Sequence, residues 1–290
     1  MEIRKAVIPV AGWGTRFLPA TKSVAKEMLP IVDMPTIQYI VQEICDANIT
    51  QVIFVNAAGK SSIEDYFDRS YGLEKWLEEK GKTEQLEKVR KVSEMIEVCT
   101  VRQKDPLGLA NAVSCVRDMV GDEPFAVLVG DDIFVGEKPA MLQMTEAYQR
   151  CQKSIVGVKE VPDNKTHLYG IIDPETTEME NLFKLKSMVE KPTDNPPSNY
   201  AAVGRYVLTP DIFDCIDQTP KGNGGEIQIT DALGILNRRE GGGVYALDLQ
   251  GERHDAGDIF GWIKANIAFA MERPEFADKL RELFRTYLPE

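Results

Sequence analysis

The chain of 290 residues has only two histidines, His167 and His254, and five cysteines: Cys45, Cys99, Cys115, Cys151 and Cys215. The cysteines are odd in number and scattered, and no Cys-x-x-Cys pair occurs. A disulfide framework and a zinc knuckle are both poor readings, and two histidines supply no ligand cluster. No run approaches the roughly 18 uninterrupted apolar residues that a spanning helix needs, so no membrane span is expected. Positive charge is also scarce: 34 Lys and Arg against 46 Asp and Glu give a formal net charge of −12. Nucleic acid and anionic membrane both require a cationic footprint, so neither is an expected partner. A small anionic ligand, which sees a local field, stays open.

What is present is ordinary globular material, 43% hydrophobic and 28% charged. At this length a folded chain buries roughly 75% of its extended surface, so core size sets no limit. Met1 to Trp13 mimics a short signal peptide, but Arg16, Lys22 and Lys26 follow with no small-residue cleavage site. It reads as a first buried strand, Lys5 to Val10, of a cytoplasmic protein.

Short apolar runs then alternate with amphipathic ones. Thr36 to Asn48, Leu109 to Val120 and Glu226 to Leu236 read as helices, and Gln51 to Ala57, Met95 to Gln103 and Phe125 to Val129 as strands. Ser61 and Glu64 have capping-box spacing at the start of another helix. Shorter strands are expected at 154–161, 170–173, 186–189, 203–208 and 244–249. The pattern predicts an α/β fold: a Rossmann-like mixed but mostly parallel sheet flanked by helices. Residues 1–290 read as one domain, with a charged helical insertion at about 70–95 and terminal helices over about 258–290. Ligands of such sheets bind beyond the carboxyl ends of the strands, which directs attention to the loops after Val10, Gln103 and Val129.

The first of these loops is Ala11-Gly12-Trp13-Gly14-Thr15-Arg16. Glycines let backbone N–H groups approach a phosphate, and Arg16 adds a permanently charged fork. It is not a dinucleotide fingerprint, since position 17 is Phe17. Gly59-Lys60-Ser61 is only half a P-loop, because Phe54 stands where the leading glycine belongs. Arg16, Lys22 and Lys26 favour a polyphosphate over a plain strand-to-loop turn.

Gly12-x-Gly14-Thr15-Arg16-Phe17-Leu18-Pro19-Ala20-Thr21-Lys22, followed by Lys26-Glu27-Met28-Leu29-Pro30, resembles the signature of bacterial UTP–glucose-1-phosphate uridylyltransferases. These belong to the sugar-phosphate nucleotidyltransferases, and the likeness runs through nearly the whole chain. The resemblance implies a glycosyltransferase-A-like nucleotidyltransferase fold and transfer of a uridylyl group from UTP to α-D-glucose 1-phosphate, giving UDP-glucose and pyrophosphate. It implies Arg16, Lys26 and Lys191 as catalytic cations, and Ala11, Gly12, Gly14 and Thr15 at the nucleotide, with Gln103 and Gly108 reading the base. Tyr169, Gly170, Glu190, Gly204 and Glu226 fall on the sugar side, and Asp131 and Asp255 on Mg²⁺. For Glu226 the competing reading is an acid that opens its helix. A homodimer or homotetramer is a further expectation.

The departures are Trp13 for Leu, Val24-Ala25 for Ile-Pro, Asn111 for His and Ala256 for Cys. None removes a charge that the chemistry needs. Three rivals remain: a thymidylyltransferase using dTTP, a non-catalytic paralogue that binds nucleotide sugar, and a glycosyltransferase. The last lacks its Asp-x-Asp, since position 133 is Ile133. The charge balance also divides. Residues 1–30 hold five basic and two acidic side chains, so the cations concentrate where a triphosphate would lie.

Overall fold

The computed structural model describes residues 2–287. Thirteen strands are distributed as β1 (Lys5–Pro9), β2 (Pro30–Ile31), β3 (Met34–Pro35), β4 (Gln51–Asn56), β5 (Glu97–Arg102), β6 (Phe125–Leu128), β7 (Asp132–Val135), β8 (Ser154–Glu160), β9 (Gly170–Thr176), β10 (Leu182–Glu190), β11 (Tyr200–Leu208), β12 (Val244–Asp248) and β13 (Glu252–Asp255). The α-helices are α1 (Thr36–Asp46), α2 (Ser62–Phe67), α3 (Tyr71–Glu79), α4 (Thr83–Ser93), α5 (Leu109–Ser114), α6 (Arg117–Val120), α7 (Ala140–Cys151), α8 (Ile212–Gln218), α9 (Ile229–Arg238), α10 (Ile259–Met271) and α11 (Pro274–Tyr287). Among the described residues, no helix is long and apolar enough to cross a membrane.

Nine strands form one sheet in the order β5-β4-β1-β6-β11-β8-β12-β10-β9. Its strands are apolar on both faces because both faces are covered. Along β1, Ala6 and Ile8 point into one core with α1 and α7, while Val7 points into the other with α5, α8 and α9. Val52 and Phe54 against Ile53 and Val55 repeat that alternation in β4.

The expected sheet was mostly parallel, and the observed one is mixed. β5, β4, β1 and β6 are parallel, as is the β8–β12 pair. β6–β11, β11–β8, β12–β10 and β10–β9 are antiparallel. The helical crossovers of the first half enforce parallel pairing. In contrast, β9, β10 and β11 follow one another without an intervening α-helix, and β9 lies antiparallel to both β10 and β11. The parallel part has its switch point at β1, with β4 and β5 on one side and β6 on the other.

Two local expectations change, and a third gains detail. Leu109 to Val120 is two short helices, interrupted at Cys115–Val116. The charged insertion is the pair α3 and α4, turned at Gly81 with φ 64°. Ser61 makes no side-chain cap; Glu64 instead accepts from Asn56 Nδ2 at 2.9 Å.

Candidate active site

The glycine loop leaves the carboxyl end of β1 at the switch point. Gly14 has φ 63°, and a Cβ there would lie 3.1 Å from Thr21 Cγ2 and 3.2 Å from Lys26 Cβ, so both backbone strain and crowding disfavour a side chain. Thr21 Oγ1 donates to Gly14 O at 2.8 Å, folding the segment back across the loop. That fold brings Lys26 alongside. Ala11 is buried, whereas Gly12, Thr15 and Arg16 are exposed.

β6 ends at Leu128, and Gly204 of β11 steadies the exit by accepting from Val129 N–H at 3.0 Å. The next two carboxylates part company, as alternation along a strand requires. Asp131 Oδ2 meets Lys26 Nζ at 2.6 Å. Asp132 turns into the interior and takes both arms of Arg253, each at 2.7 Å.

Burial works against both members of the Asp131–Lys26 pair, but their mutual attraction wins. It holds Asp131 below the usual carboxylate range and lifts Lys26 above the usual lysine value. For Asp132 burial dominates over Arg253 and raises the carboxyl to about 7.

Sequence spacing gives no route from Asp131 to Asp255; the structure supplies one. β7 and β13 form a separate antiparallel ribbon in which Asp132 faces Asp255. Ala256 N–H donates to Asp131 O at 2.8 Å, and Gly257 N–H to Asp255 Oδ1 at 2.9 Å. A Cβ on Gly257 would sit 2.9 Å from Asp131 Oδ2 and 3.0 Å from Asp255 Oδ1, so both carboxylates converge on one small space. Arg16 closes the group from the glycine loop, donating to Gly257 O at 3.4 Å.

The second cluster lies at the end of β5. Gln103 Nε2 donates to Asn111 Oδ1 at 2.8 Å and to Gly108 O at 3.4 Å. Gly108, with φ 96°, lies so close to the segment before α9 that a Cβ would meet Glu226 Cβ at 2.8 Å. Glu226 therefore does not open a helix. It precedes α9 by three residues and packs against the Gly108 turn.

The third cluster is at the β9–β10 edge, where Gly170 pairs with Glu190. Glu190 Oε2 accepts from Thr230 Oγ1 at 3.1 Å, and Lys191 Nζ lies 3.3 Å from Glu190 Oε1. Lys191 N–H donates to Tyr169 O at 2.9 Å.

Arg253 joins the third cluster to the first. Besides Asp132 it reaches Asp255 Oδ2 at 3.3 Å and the Tyr169 hydroxyl at 3.4 Å, with its guanidinium over the Tyr169 ring. The start of α9 and the segment before it link the second and third, through Thr230 and Glu226.

Arg253, Asn111 and Lys60 carry contacts that sequence reasoning did not assign to them. Arg253 lies two residues before Asp255, and Lys60 within the rejected half P-loop. For Asn111 only the departure from His was visible.

Residues 5–270 match the nucleotidyl transferase family. The chain belongs to that family. It is 51% identical over 280 residues to the UTP–glucose-1-phosphate uridylyltransferase of Bacillus subtilis, covering 96% of this chain and 95% of that one. Among solved structures it resembles a UTP-bound UGPase from Acinetobacter baumannii, with a TM-score of 0.89, 40% identity, and 97% and 98% of the two chains covered. A UDP-glucose pyrophosphorylase complexed with UDP-glucose superposes with a TM-score of 0.85 at 42% identity, over 93% of this chain and all of the other.

Proposed function

We propose that this nucleotidyl transferase moves a uridylyl group from UTP to α-D-glucose 1-phosphate, releasing UDP-glucose and pyrophosphate. The observation that carries the reading is the meeting of Arg16, Lys26, Asp131 and Asp255 at the end of β1 and β6. It combines fixed cations with a convergent acidic pair, which is what bringing two polyanions together demands. Relatives named for this activity match along nearly the whole chain.

The acceptor phosphate oxygen attacks the α-phosphorus of UTP; the α–β phosphoanhydride bond breaks, and pyrophosphate leaves with the electron pair. A phosphate monoester is already anionic near neutral pH, so no general base is needed. Arg16 and Lys26 would offset the charge that builds on the α-phosphoryl oxygens, and Lys191 would hold the incoming phosphate. Glu190 would accept from sugar hydroxyls, with Tyr169, Gly170, Gly204 and Glu226 shaping the hexose side.

The Gln103 amide would read the base. Both its N–H groups are committed to Asn111 and Gly108, so its carbonyl is the part left for N3–H of uracil.

Asp131 and Asp255 fit a hard divalent cation, since both offer carboxylate oxygen toward one point. Among the described residues no group of three or more His, Cys, Asp or Glu side chains could hold a metal ion. Mg²⁺ takes one or two carboxylates and completes its shell with substrate phosphates and water. Bound there, it would polarise phosphoryl oxygens. The setting we infer is cytoplasmic, with self-association into a dimer or tetramer.

Incubation with UTP, α-D-glucose 1-phosphate and Mg²⁺ should yield UDP-glucose and pyrophosphate in equal amounts. Arg16→Ala should remain folded and lose about 10²–10³ in kcat. Pyrophosphate without UDP-glucose would contradict the reaction, and near wild-type turnover of the variant would remove Arg16 from it.

A further inference from the structure

Lys60 takes no part in the reaction described above. It lies in the turn between β4 and α2, where fully buried Asn56 fixes the backbone. Asn56 Nδ2 donates to Lys60 O at 3.0 Å, and its Oδ1 accepts from Ala57 N–H at 2.8 Å. The Lys60 side chain, 14% exposed, reaches across to the glycine loop. Its Nζ donates to Val10 O at 2.6 Å and Gly12 O at 2.5 Å, and lies 3.3 Å from Glu27 Oε2. An ammonium has three N–H donors, and here three acceptors surround it. Nothing is left to offer a ligand, and the Glu27 carboxylate, only 1% exposed, balances the charge.

The consequence appears in the loop. In a trans peptide the carbonyl and the following N–H point in opposite directions. Turning the Val10 and Gly12 carbonyls toward Lys60 therefore turns the N–H groups of Ala11 and Trp13 away from it. Among the described residues, the backbone N–H groups of Ala11, Gly12, Trp13 and Gly14 have no hydrogen-bond acceptor. Free backbone donors at a strand end can cradle an anion, and those of Ala11 and Trp13 are the two turned away from Lys60. A Cβ on Gly12 would meet nothing within 4 Å, so space remains beside them.

We propose that Lys60 is the positioning residue of this loop, holding the Val10 and Gly12 carbonyls back so that the Ala11 and Trp13 N–H donors face the triphosphate. The inference rests on the uridylyl-transfer reading and deepens it. Without the ammonium, both carbonyls would face the Glu27 carboxylate. The peptides would then rotate, presenting oxygen where phosphate must bind.

Lys60→Met removes the ammonium while keeping the stem, and Lys60→Met with Glu27→Gln also removes the carboxylate that would be left unpaired. Lys60→Gln retains two N–H donors and is the mildest of the three. In folded variants, KM for UTP should rise roughly 10- to 100-fold, least in Lys60→Gln, with KM for glucose 1-phosphate within about twofold of wild type. An unchanged KM for UTP, or an equal rise in both KM values, overturns the proposal. Wild-type protein that makes no UDP-glucose would instead defeat the reaction it rests on.

Discussion

In the proposed reading Gln103 would offer a nucleotide only part of its amide, and Asn111 would decide which part. With Nε2 held at 2.8 Å by Asn111 Oδ1, the carbonyl presented to a base complements the N3–H of uracil. It opposes the N3 lone pair of cytosine. Asn111→Ala frees the amide to turn over, so the preference for UTP over CTP in kcat/KM should fall by about tenfold. An unchanged ratio would mean that Asn111 does not set the orientation. Residues of this kind were hard to read in advance. An asparagine or a lone lysine has no sequence context that separates a fixed hydrogen-bond partner from a solvated side chain. Lys60 was visible only as part of a failed P-loop, although Gly12, Gly14, Arg16 and Lys26 stood out because glycine and charge recur at close spacing after an apolar run.

At the scale of elements, strands flanked by helices were legible because their apolar runs are continuous and their turns are marked. β1, β4, β5 and β6 lie within a residue or two of where periodicity puts them. The β7–β13 ribbon was not legible, since two four-residue strands more than a hundred residues apart leave no periodic trace. That ribbon brings Asp255 to Asp131, so half of the acidic pair rested on resemblance. The mixed sheet escaped for a related reason, because apolar alternation does not record strand direction. The charged helical insertion expected at about 70–95 is the pair α3 and α4, and it holds one buried acid. Glu74, 3% exposed, accepts from Arg69 and Arg90 at 2.6 and 3.1 Å. The hydrogen bond from Arg69 leads in pulling its carboxyl from the usual 4.5 down to about 2. A lowered folded-state pKa contributes stability above the unfolded value and loses it as pH falls. Amide protection of α3 and α4 should therefore decline between pH 4.5 and about 2. In Glu74→Gln, protection should already be lower at neutral pH and lack that step. Identical pH profiles in the two proteins would contradict this.

Across the whole molecule, buried charge ties the core to the active site. Arg205 is fully buried in β11 and holds Glu43 of α1 through two bonds, at 2.9 and 2.7 Å. It also donates to Asp132 O at 2.6 Å. Asp132 in turn grips Arg253, which touches Asp255 and Tyr169. Such a chain is poor evidence of net stability, since desolvation offsets much of the attraction, but removing one member typically costs about 3–5 kcal/mol. Its evident product is geometric, linking α1, β11, β7 and β13 behind the acidic pair. The net charge of −12 has the same division of labour. An acidic surface disfavours extended polyanions, while in the proposed reaction Arg16 and Lys26 would supply the local field for one triphosphate. The central claim is that this field and the Gln103 loop serve UTP. The direct test compares kcat/KM for UTP and dTTP with α-D-glucose 1-phosphate and Mg²⁺, read by pyrophosphate release. The account predicts a clear preference for UTP, with UDP-glucose as the product. A preference for dTTP would contradict it.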